Sequence, residues 1–154
     1  SGGSFGIKQA IMPMIILTCL ASRLSNKQVV WVEDRMEHLT AASSATGRLT
    51  KIKASIDYQG TIHALDYDQI DDVGAYPRAP EPASLYRMHG NLSGAYKVKN
   101  IRCRNRVILT NKTPSGLNRG FGGPQHYFAL ERLVHQIAVE LKLNVLDVIK
   151  INLL

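Results

Sequence analysis

The fold of this chain is decided by residues 119–141, which read RGFGGPQHYFALERLVHQIAVEL. After a glycine-rich loop, apolar side chains recur three and four positions apart at Tyr127, Leu130, Val134, Ile137 and Leu141. That spacing lines one face of an α-helix and predicts a helix over 124–141. Pro124 favours the first turn of this helix, where its fixed φ is suitable and no helical hydrogen bond needs its missing N–H.

A second glycine-rich loop shares this design. It covers residues 2–6 (GGSFG) and, like residues 119–123 (RGFGG), leads into a helical pattern. Glycine permits a positive φ and a close backbone approach, and a helix N-terminus offers unpaired N–H groups with a partial positive charge. The combination suits an anion such as phosphate, and Arg119 can add a bidentate contact. Tight turns and helix caps have the same composition, so that interpretation stays open; neither loop carries the dinucleotide or P-loop fingerprint.

Outward from these loops, the chain has the mixed patterns of an α+β fold, with a mixed or antiparallel sheet and packed helices. Apolar periodicity and helix-favouring residues predict helices over 9–24, 35–40, 84–92 and 144–154. β-branched and aromatic residues predict strands over 28–34, 46–57, 61–67 and 96–110. The second and third of these strands form a predicted hairpin around Gln59-Gly60. Three prolines predict a loop over 68–82.

Composition limits the class of protein. The chain has 154 residues, 45% of them hydrophobic and 20% charged, which excludes a disordered tail, a collagen-like fibre and a disulfide scaffold. The uncharged stretch 10–22 contains Pro13 and is shorter than the roughly 20 residues of a membrane helix. No secretory signal pattern is present, and the opening Ser1-Gly2-Gly3 leads us to expect one domain, or a fragment of one, from a longer protein.

The formal net charge of +7 favours anionic partners. Its dispersal along the chain argues against nucleic acid and against a membrane surface as partners. Arg102, Arg104 and Arg106 alternate and therefore share one face of a strand, which predicts a solvated edge or a contact with an acidic neighbouring domain. Cys19 and Cys103 lack metal-binding spacing and are predicted to be small buried side chains in a reducing, cytoplasmic compartment.

Two further sets of residues are weak metal candidates. The aspartates between 66 and 72 lack the glycine and terminal glutamate of a calcium loop, so a solvated acidic loop is predicted. The five histidines form no HxxxH or HExxH pair, so no metal site is predicted within the chain. His126, beside the second glycine loop, is the histidine of greatest interest.

The segments GGSFGIK and RGFGGPQ resemble the paired loops of molybdenum hydroxylase large subunits, the family of xanthine dehydrogenases, aldehyde oxidases and carbon monoxide dehydrogenase-like enzymes. Residues 31–48 (WVEDRMEHLTAASSATGR) and 129–154 (ALERLVHQIAVELKLNVLDVIKINLL) are also similar to this family, so the resemblance covers essentially the whole chain. It implies a segment of the molybdopterin-binding domain of an enzyme that hydroxylates an aldehyde or an N-heterocycle with oxygen from water.

The resemblance also implies roles for single residues. The implied cofactor contacts are Gly3, Ser4, Phe5, Gly6, Arg119 and Gly120. The implied substrate-pocket residues are Gln9, Arg87 and Phe121. Purine-oxidising members have a Glu where this chain has Gln9 and an Arg that matches Arg87, so only half of the purine pattern is present. Carbon monoxide dehydrogenases have a Cys where Gly120 stands, which argues against oxidation of carbon monoxide. Ser4 replaces a usual glycine and requires a negative φ or strain.

Other groups implied by the resemblance lie outside the chain. The cofactor is molybdopterin with molybdenum, possibly as the cytosine dinucleotide, while FAD and 2Fe-2S clusters belong to partner domains or subunits. The catalytic Glu of the family lies downstream, so no catalytic residue is expected within this chain. Expected partners are the remainder of the large subunit, the FAD-binding and iron–sulfur parts, and a small-molecule substrate. The alternatives are a non-catalytic truncated remnant of the fold and a stand-alone phosphate- or nucleotide-binding module.

Overall fold

The computed structural model describes residues 3–6, 11–78 and 87–154. The helices are α1 (Met12–Ser25), α2 (Arg35–Ala41), α3 (Gly123–Leu141) and α4 (Val145–Asn152), with a 3-10 helix at Arg87–Asn91. The strands are β1 (Gly47–Ile56), β2 (Ile62–Asp72) and β3 (Asn100–Ile108). The predicted α+β class, the hairpin and the helices near the C-terminus are confirmed.

The three strands form one mixed sheet in the order β1-β2-β3. β1 and β2 are antiparallel, whereas β2 and β3 are parallel. In this register Lys53, Asp66 and Arg102 lie side by side across the sheet. The hairpin turn is held by the Asp57 carboxylate, which accepts hydrogen bonds from the N–H groups of Gln59 (3.0 Å) and Thr61 (2.9 Å).

The core lies between the sheet and α3. Leu65 and Tyr67, on the inner face of β2, pack in one cluster with Leu130, Val134 and Ile137 of α3. The predicted apolar stripe is therefore confirmed as the core face at Leu130, Val134 and Ile137, with Leu141 partly buried, whereas Tyr127 at its start is 37% exposed. α4 is fixed to the hairpin by the buried Asn152, whose side chain accepts a hydrogen bond from the Ile62 N–H (2.8 Å) and donates one to the Gly60 carbonyl (2.8 Å).

The predicted strand over 28–34 is wrong. This segment forms no strand, and the side chains of Val30 and Val32 are 72% and 82% exposed. None of the described residues pairs with it, and β propensity alone does not make a strand without a partner. Asp34 instead begins α2 through a capping box with Glu37, each side chain accepting a hydrogen bond from the other residue's N–H.

The predicted loop over 68–82 is also wrong at its start, because β2 continues to Asp72. The aspartates between 66 and 72, which were predicted to form a solvated acidic loop, belong to this strand. Asp66, Asp68 and Asp72 form salt bridges with Arg102, Arg106 and Lys112. These cross-strand ion pairs offset the low strand preference of aspartate. Residues 79–82 lie outside the described residues.

Three smaller expectations need qualification. The helix predicted over 84–92 is observed as the 3-10 helix at 87–91, and residues 84–86 lie outside the described part. Cys19 is exposed on α1, so its predicted burial is wrong, whereas Cys103 is half-buried and burial raises the pKa of its thiol. α1 starts at Met12 rather than at the predicted residue 9, and residues 9 and 10 are not described.

α1 is apolar on every side. It buries none of its residues, and Ile16 and Leu24 are exposed together with their apolar neighbours. A helix that is hydrophobic all round is typical of the interior of a larger protein. No helix among the described residues is long and apolar enough to cross a membrane.

Candidate functional site

The first glycine loop lies directly against the second. Gly3, Phe5 and Gly6 have positive φ values of 70°, 48° and 97°. A Cβ added to Gly6 would stand 2.6 Å from the carbonyl oxygen of Leu117, two residues before Arg119. Only glycine allows this approach of one backbone to the other. Ser4 does not have a positive φ, so its side chain is accommodated without left-handed strain.

Arg119 and Phe5 join the two loops through a cation–π contact. The guanidinium carbon of Arg119 lies 5.1 Å from the centre of the Phe5 ring, within the usual range of such contacts. Phe5 is 55% exposed and is therefore not part of the hydrophobic core. No described carboxylate forms a salt bridge with Arg119. Its charge therefore remains available to an anion on the exposed side.

The second loop turns through three consecutive positive φ values, at Gly120 (98°), Phe121 (52°) and Gly122 (80°). Gly122 is the N-cap of α3, and no side chain caps this helix. In the first turn the Gly123 N–H donates to the Gly120 carbonyl at 2.9 Å and Pro124 has no N–H, so this end attracts an anion through the helix dipole rather than through a set of unpaired N–H groups. Phe121 is partly buried between these glycines.

The donors of this site match an anionic, phosphate-bearing group. The glycines let the loops fold tightly, since a Cβ on Gly3, Gly6 or Gly120 would meet the Phe5 ring, the Leu117 carbonyl or the Pro124 ring at 2.6–2.7 Å. Arg119 supplies a fixed positive charge, and α3 supplies the positive end of a helix dipole. Among the described residues, no cluster of three or more His, Cys, Asp or Glu side chains could hold a metal ion.

The 3-10 helix places Arg87 beside this site. Met88 of the same helix approaches the second loop, since its sulfur would lie 3.6 Å from a Cβ on Gly123. The backbone of Arg87 is therefore near the start of α3, and its side chain is not described. Gln9, the other residue predicted to determine substrate preference, lies outside the described residues.

Arg78 is a residue that sequence reasoning missed. Its buried Nε has no hydrogen-bond partner among the described residues and would lie 4.0 Å from a Cβ on Gly116. Gly116 packs tightly on Ser43, and its N–H donates to the Ser44 carbonyl at 2.9 Å. The sequence around Arg78 contains only prolines and a loop pattern, so no motif singled it out.

Several buried polar side chains lie between the sheet and the second glycine loop. Arg48 and Asp71 form a buried bidentate ion pair across β1 and β2, with N···O distances of 2.6 and 2.8 Å. Asn105 of β3 donates a third hydrogen bond to Asp71 at 2.8 Å. Gln125, in the first turn of α3, donates to the Thr46 carbonyl at 3.0 Å. The second loop is thereby anchored to the beginning of β1.

His126 follows Gln125 and is fully buried. Its Nε2 lies 3.2 Å from the Leu92 carbonyl, so this nitrogen carries the proton and Nδ1 is an acceptor. Burial away from water lowers the pKa of His126, which keeps the imidazole neutral. Its ring packs 5.3 Å from the ring of Tyr67. His126 is therefore a packing residue beneath the loop and does not face an anion.

Comparison with known families gives a match over residues 1–153 to a family model described as the molybdopterin cofactor-binding domain. The gamma subunit of the 6-hydroxypseudooxynicotine dehydrogenase complex of Paenarthrobacter nicotinovorans is 32% identical over 99% of this chain. The carbon monoxide dehydrogenase large chain of Hydrogenophaga pseudoflava is 28% identical over 93% of it. The chain spans 19% and 18% of the lengths of these two relatives.

Solved structures give the same result. Quinoline 2-oxidoreductase from Pseudomonas putida 86 superposes with a TM-score of 0.91 at 31% identity, covering 99% of this chain and 20% of that one. The predicted fold class and the resemblance of the two loops are thus confirmed. Because the chain covers about a fifth of these proteins, it corresponds to a segment of their large subunits.

Proposed function

Because this chain belongs to the molybdopterin cofactor-binding domain family, we propose that residues 1–154 form one wall of the cofactor and substrate pocket in a molybdenum hydroxylase large subunit. The observation that carries the proposal is the contact between the two glycine loops. Gly6 lies against Leu117 and Phe5 lies under Arg119, so the two most family-like motifs form one surface. That surface presents a cation and a helix N-terminus, as an anionic pterin phosphate requires.

The residues of the two loops have different proposed roles in binding. Arg119 binds an anionic group of the cofactor, and Phe5 fixes the direction of its guanidinium. The backbone of Gly3, Ser4, Phe5, Gly6 and Gly120 contacts the cofactor in this proposal, in the tight conformation that the glycines allow. Phe121, partly buried on the second loop, forms part of the substrate side of the pocket, together with Gln9 and Arg87 from neighbouring segments.

The bound cofactor supplies the two-electron oxidation, in which the substrate gains an oxygen atom from water. The substrate class we propose is an N-heterocycle or an aldehyde. Two relatives above 30% identity support the heterocycle, since their names refer to 6-hydroxypseudooxynicotine and to quinoline. We propose a dinucleotide form of the cofactor. The electrons from the substrate would pass to 2Fe-2S and FAD centres elsewhere in the enzyme.

The partners we propose follow from the exposed apolar surface. α1 and residues 30–32 expose large apolar side chains, including Leu24, Trp31 and Val32. Contiguous surfaces of this kind indicate an interface rather than a surface that faces water. The remainder of the large subunit is the proposed cover, which agrees with a chain that spans a fifth of its relatives.

The test uses the full-length enzyme and the substitution Arg119→Ala. We expect this variant to lose most of its molybdenum and pterin, measured per polypeptide by metal analysis and by fluorescence of the oxidised pterin. Arg132→Ala is the matched control, because Arg132 is an exposed arginine on α3 away from the loop. Equal cofactor content in both variants would remove Arg119 from the site. A native protein without molybdenum would refute the proposed function altogether.

A further inference from the structure

The outer face of the sheet carries ordered rows of charge. Residues at 66 and 68 of β2 alternate with the core residues Leu65 and Tyr67, so they point away from α3. In the register of the sheet, one row is Lys53, Asp66 and Arg102. The next row is Lys51, Asp68 and Arg104. Each row is a carboxylate between two cations.

The cations exceed what the carboxylates can pair. Arg102 binds Asp66 with two hydrogen bonds of 2.8 and 2.6 Å, and Arg106 binds Asp68 at 2.6 Å. Both aspartates are then occupied. Lys51, Lys53 and Arg104 form no salt bridge with any described carboxylate, although all three are exposed. The three arginines share one face as predicted, whereas the aspartates that lie between them and the lysines of β1 were predicted to lie in a loop.

A shallow hollow of about 610 Å³ opens on this face. Its lining combines the short side chains of Ser55, Ala64 and Asn100 with the cations Lys53, Lys99 and Arg102. The only carboxylate that lines the hollow is Asp66, which Arg102 already binds. The hollow therefore presents two lysines without a salt bridge to a described carboxylate, Lys53 and Lys99, beside short side chains that leave room for a side chain of a partner.

A solvated charged face is the simplest alternative, because most surface charges face water. Two observations argue against it. Six cations surround two carboxylates here (Lys51, Lys53, Lys99, Arg102, Arg104 and Arg106 around Asp66 and Asp68), so this face carries over half of the net charge of +7. The rows also continue into an exposed apolar residue, since Leu49, which shares the next row with Ile70 and Arg106, is 60% exposed. Arginine beside apolar groups is typical of interfaces.

We propose that this basic sheet face docks an acidic polypeptide surface from outside residues 1–154 of the assembled enzyme. The partner's carboxylates pair with Lys51, Lys53 and Arg104, and one carboxylate side chain enters the hollow beside Lys99. Charge complementarity selects this partner and its orientation. The inference does not depend on the glycine loops, so it can fail while the proposed cofactor site stands.

Zero-length cross-linking tests the contact directly. A carbodiimide joins a lysine amine to a carboxylate only when the two are in contact. On the purified full-length enzyme, we expect mass spectrometry to find Lys51, Lys53 and Lys99 linked to Asp or Glu residues outside 1–154. Lys27 and Lys142 are exposed controls on other surfaces. Links from the face to Asp66 and Asp68 alone, or outside links no more frequent than those of the controls, would overturn the proposal.

Substitution gives an independent readout. Lys51→Gln with Arg104→Gln removes two cations without placing a like charge beside Asp68, and Lys27→Gln with Lys142→Gln is the matched control. Two exposed ion pairs of ordinary strength predict about two- to thirtyfold faster hydrogen exchange of β1 and β3 amides in the full enzyme. Exchange equal to that of the control would contradict the interface. A different outcome is that inorganic phosphate shields the lysines from reaction and no cross-links to residues outside 1–154 form. That result would mean that the hollow binds a small anion, and it would overturn the polypeptide partner.

Discussion

Gly6→Ala is the sharpest perturbation of the candidate site, because it adds one methyl group where the two glycine loops touch. Gly6 has a φ of 97°, which L-residues rarely adopt, and its Cβ would lie 2.6 Å from the Leu117 carbonyl oxygen and 2.9 Å from its carbonyl carbon. The obstacle is backbone, so rotation of a side chain cannot relieve it. One of the two loops has to move.

The free-energy cost can be approximated from these two features. Left-handed backbone costs a non-glycine residue about 1–2 kcal/mol. The added methyl group against a fixed carbonyl is overpacking, which costs about 1–3 kcal/mol more. A total of at least about 2 kcal/mol corresponds to about a thirtyfold loss of the joined loop arrangement. If the cofactor binds only that arrangement, its affinity falls by the same factor.

The assay is cofactor retention by the full-length enzyme. Molybdenum and pterin are measured per polypeptide after stepwise dilution and gel filtration. Gly90→Ala is the control, since a Cβ on Gly90 would have no atom within 4 Å and its φ is not in the left-handed region. Cofactor loss from Gly6→Ala that matches the control would refute the reasoning that the close approach of the loops builds the site.

Three further outcomes are expected. Asp71→Ala leaves the buried guanidinium of its partner on β1 unpaired, so native-state hydrogen exchange should report a loss of about 3–5 kcal/mol in β2, against about 0–1 kcal/mol for the exposed Asp68→Ala. His126 has a lowered pKa, so below its ordinary value of about 6.5 the unfolded chain binds a proton that the folded chain does not. Stability should therefore fall as pH drops from about 6.5 toward the folded pKa, and His126→Gln should remove this loss in exchange experiments across that window. Phe5→Leu removes the ring beneath Arg119 and should lower cofactor retention by about two- to fivefold, the effect of a cation–π contact of about 0.5–1 kcal/mol.

Each of these outcomes has its own control. Unchanged exchange in Asp71→Ala would mean that the buried ion pair contributes no stability. His135→Gln replaces an exposed histidine on the same helix, and an identical pH response in the two histidine variants would contradict the role of burial. Phe5→Tyr keeps an aromatic face, so retention should recover in that variant if the ring acts on Arg119.

The sequence allowed prediction of the elements whose signals are local. The stripe from Tyr127 to Leu141 predicted α3, and Gln59-Gly60 predicted the hairpin turn. Residues 28–34 misled the prediction, because their apolar side chains are typical of a strand only when a neighbouring strand is present. Asp66 and Asp68 of β2 were wrongly predicted to lie in a loop, since their arginine partners lie more than 30 residues away on β3.

The candidate site was predictable in composition but not in geometry. Glycine content and the helix that follows identified both loops as anion-binding candidates. The contact of Phe5 with Arg119 depends on the tertiary fold, and no local pattern encodes it. Arg78 gave no signal at all, because a single arginine in a proline-rich stretch looks the same whether its Nε is buried or in water.

The parallel pairing of β2 with β3 has a consequence for how the protein is made. A tight turn can join β1 to β2, but a parallel partner has to return over residues 73–99 before it can pair. During synthesis, the hairpin therefore forms first, and the edge of β2 that pairs with β3 stays open until β3 has been made. Asp66 and Asp68 stand along that open edge beside Lys53 and Lys51 of β1, and these charged side chains oppose pairing with the same strand of a neighbouring nascent chain. The carboxylates that later bind arginines thus first protect the growing polypeptide from aggregation.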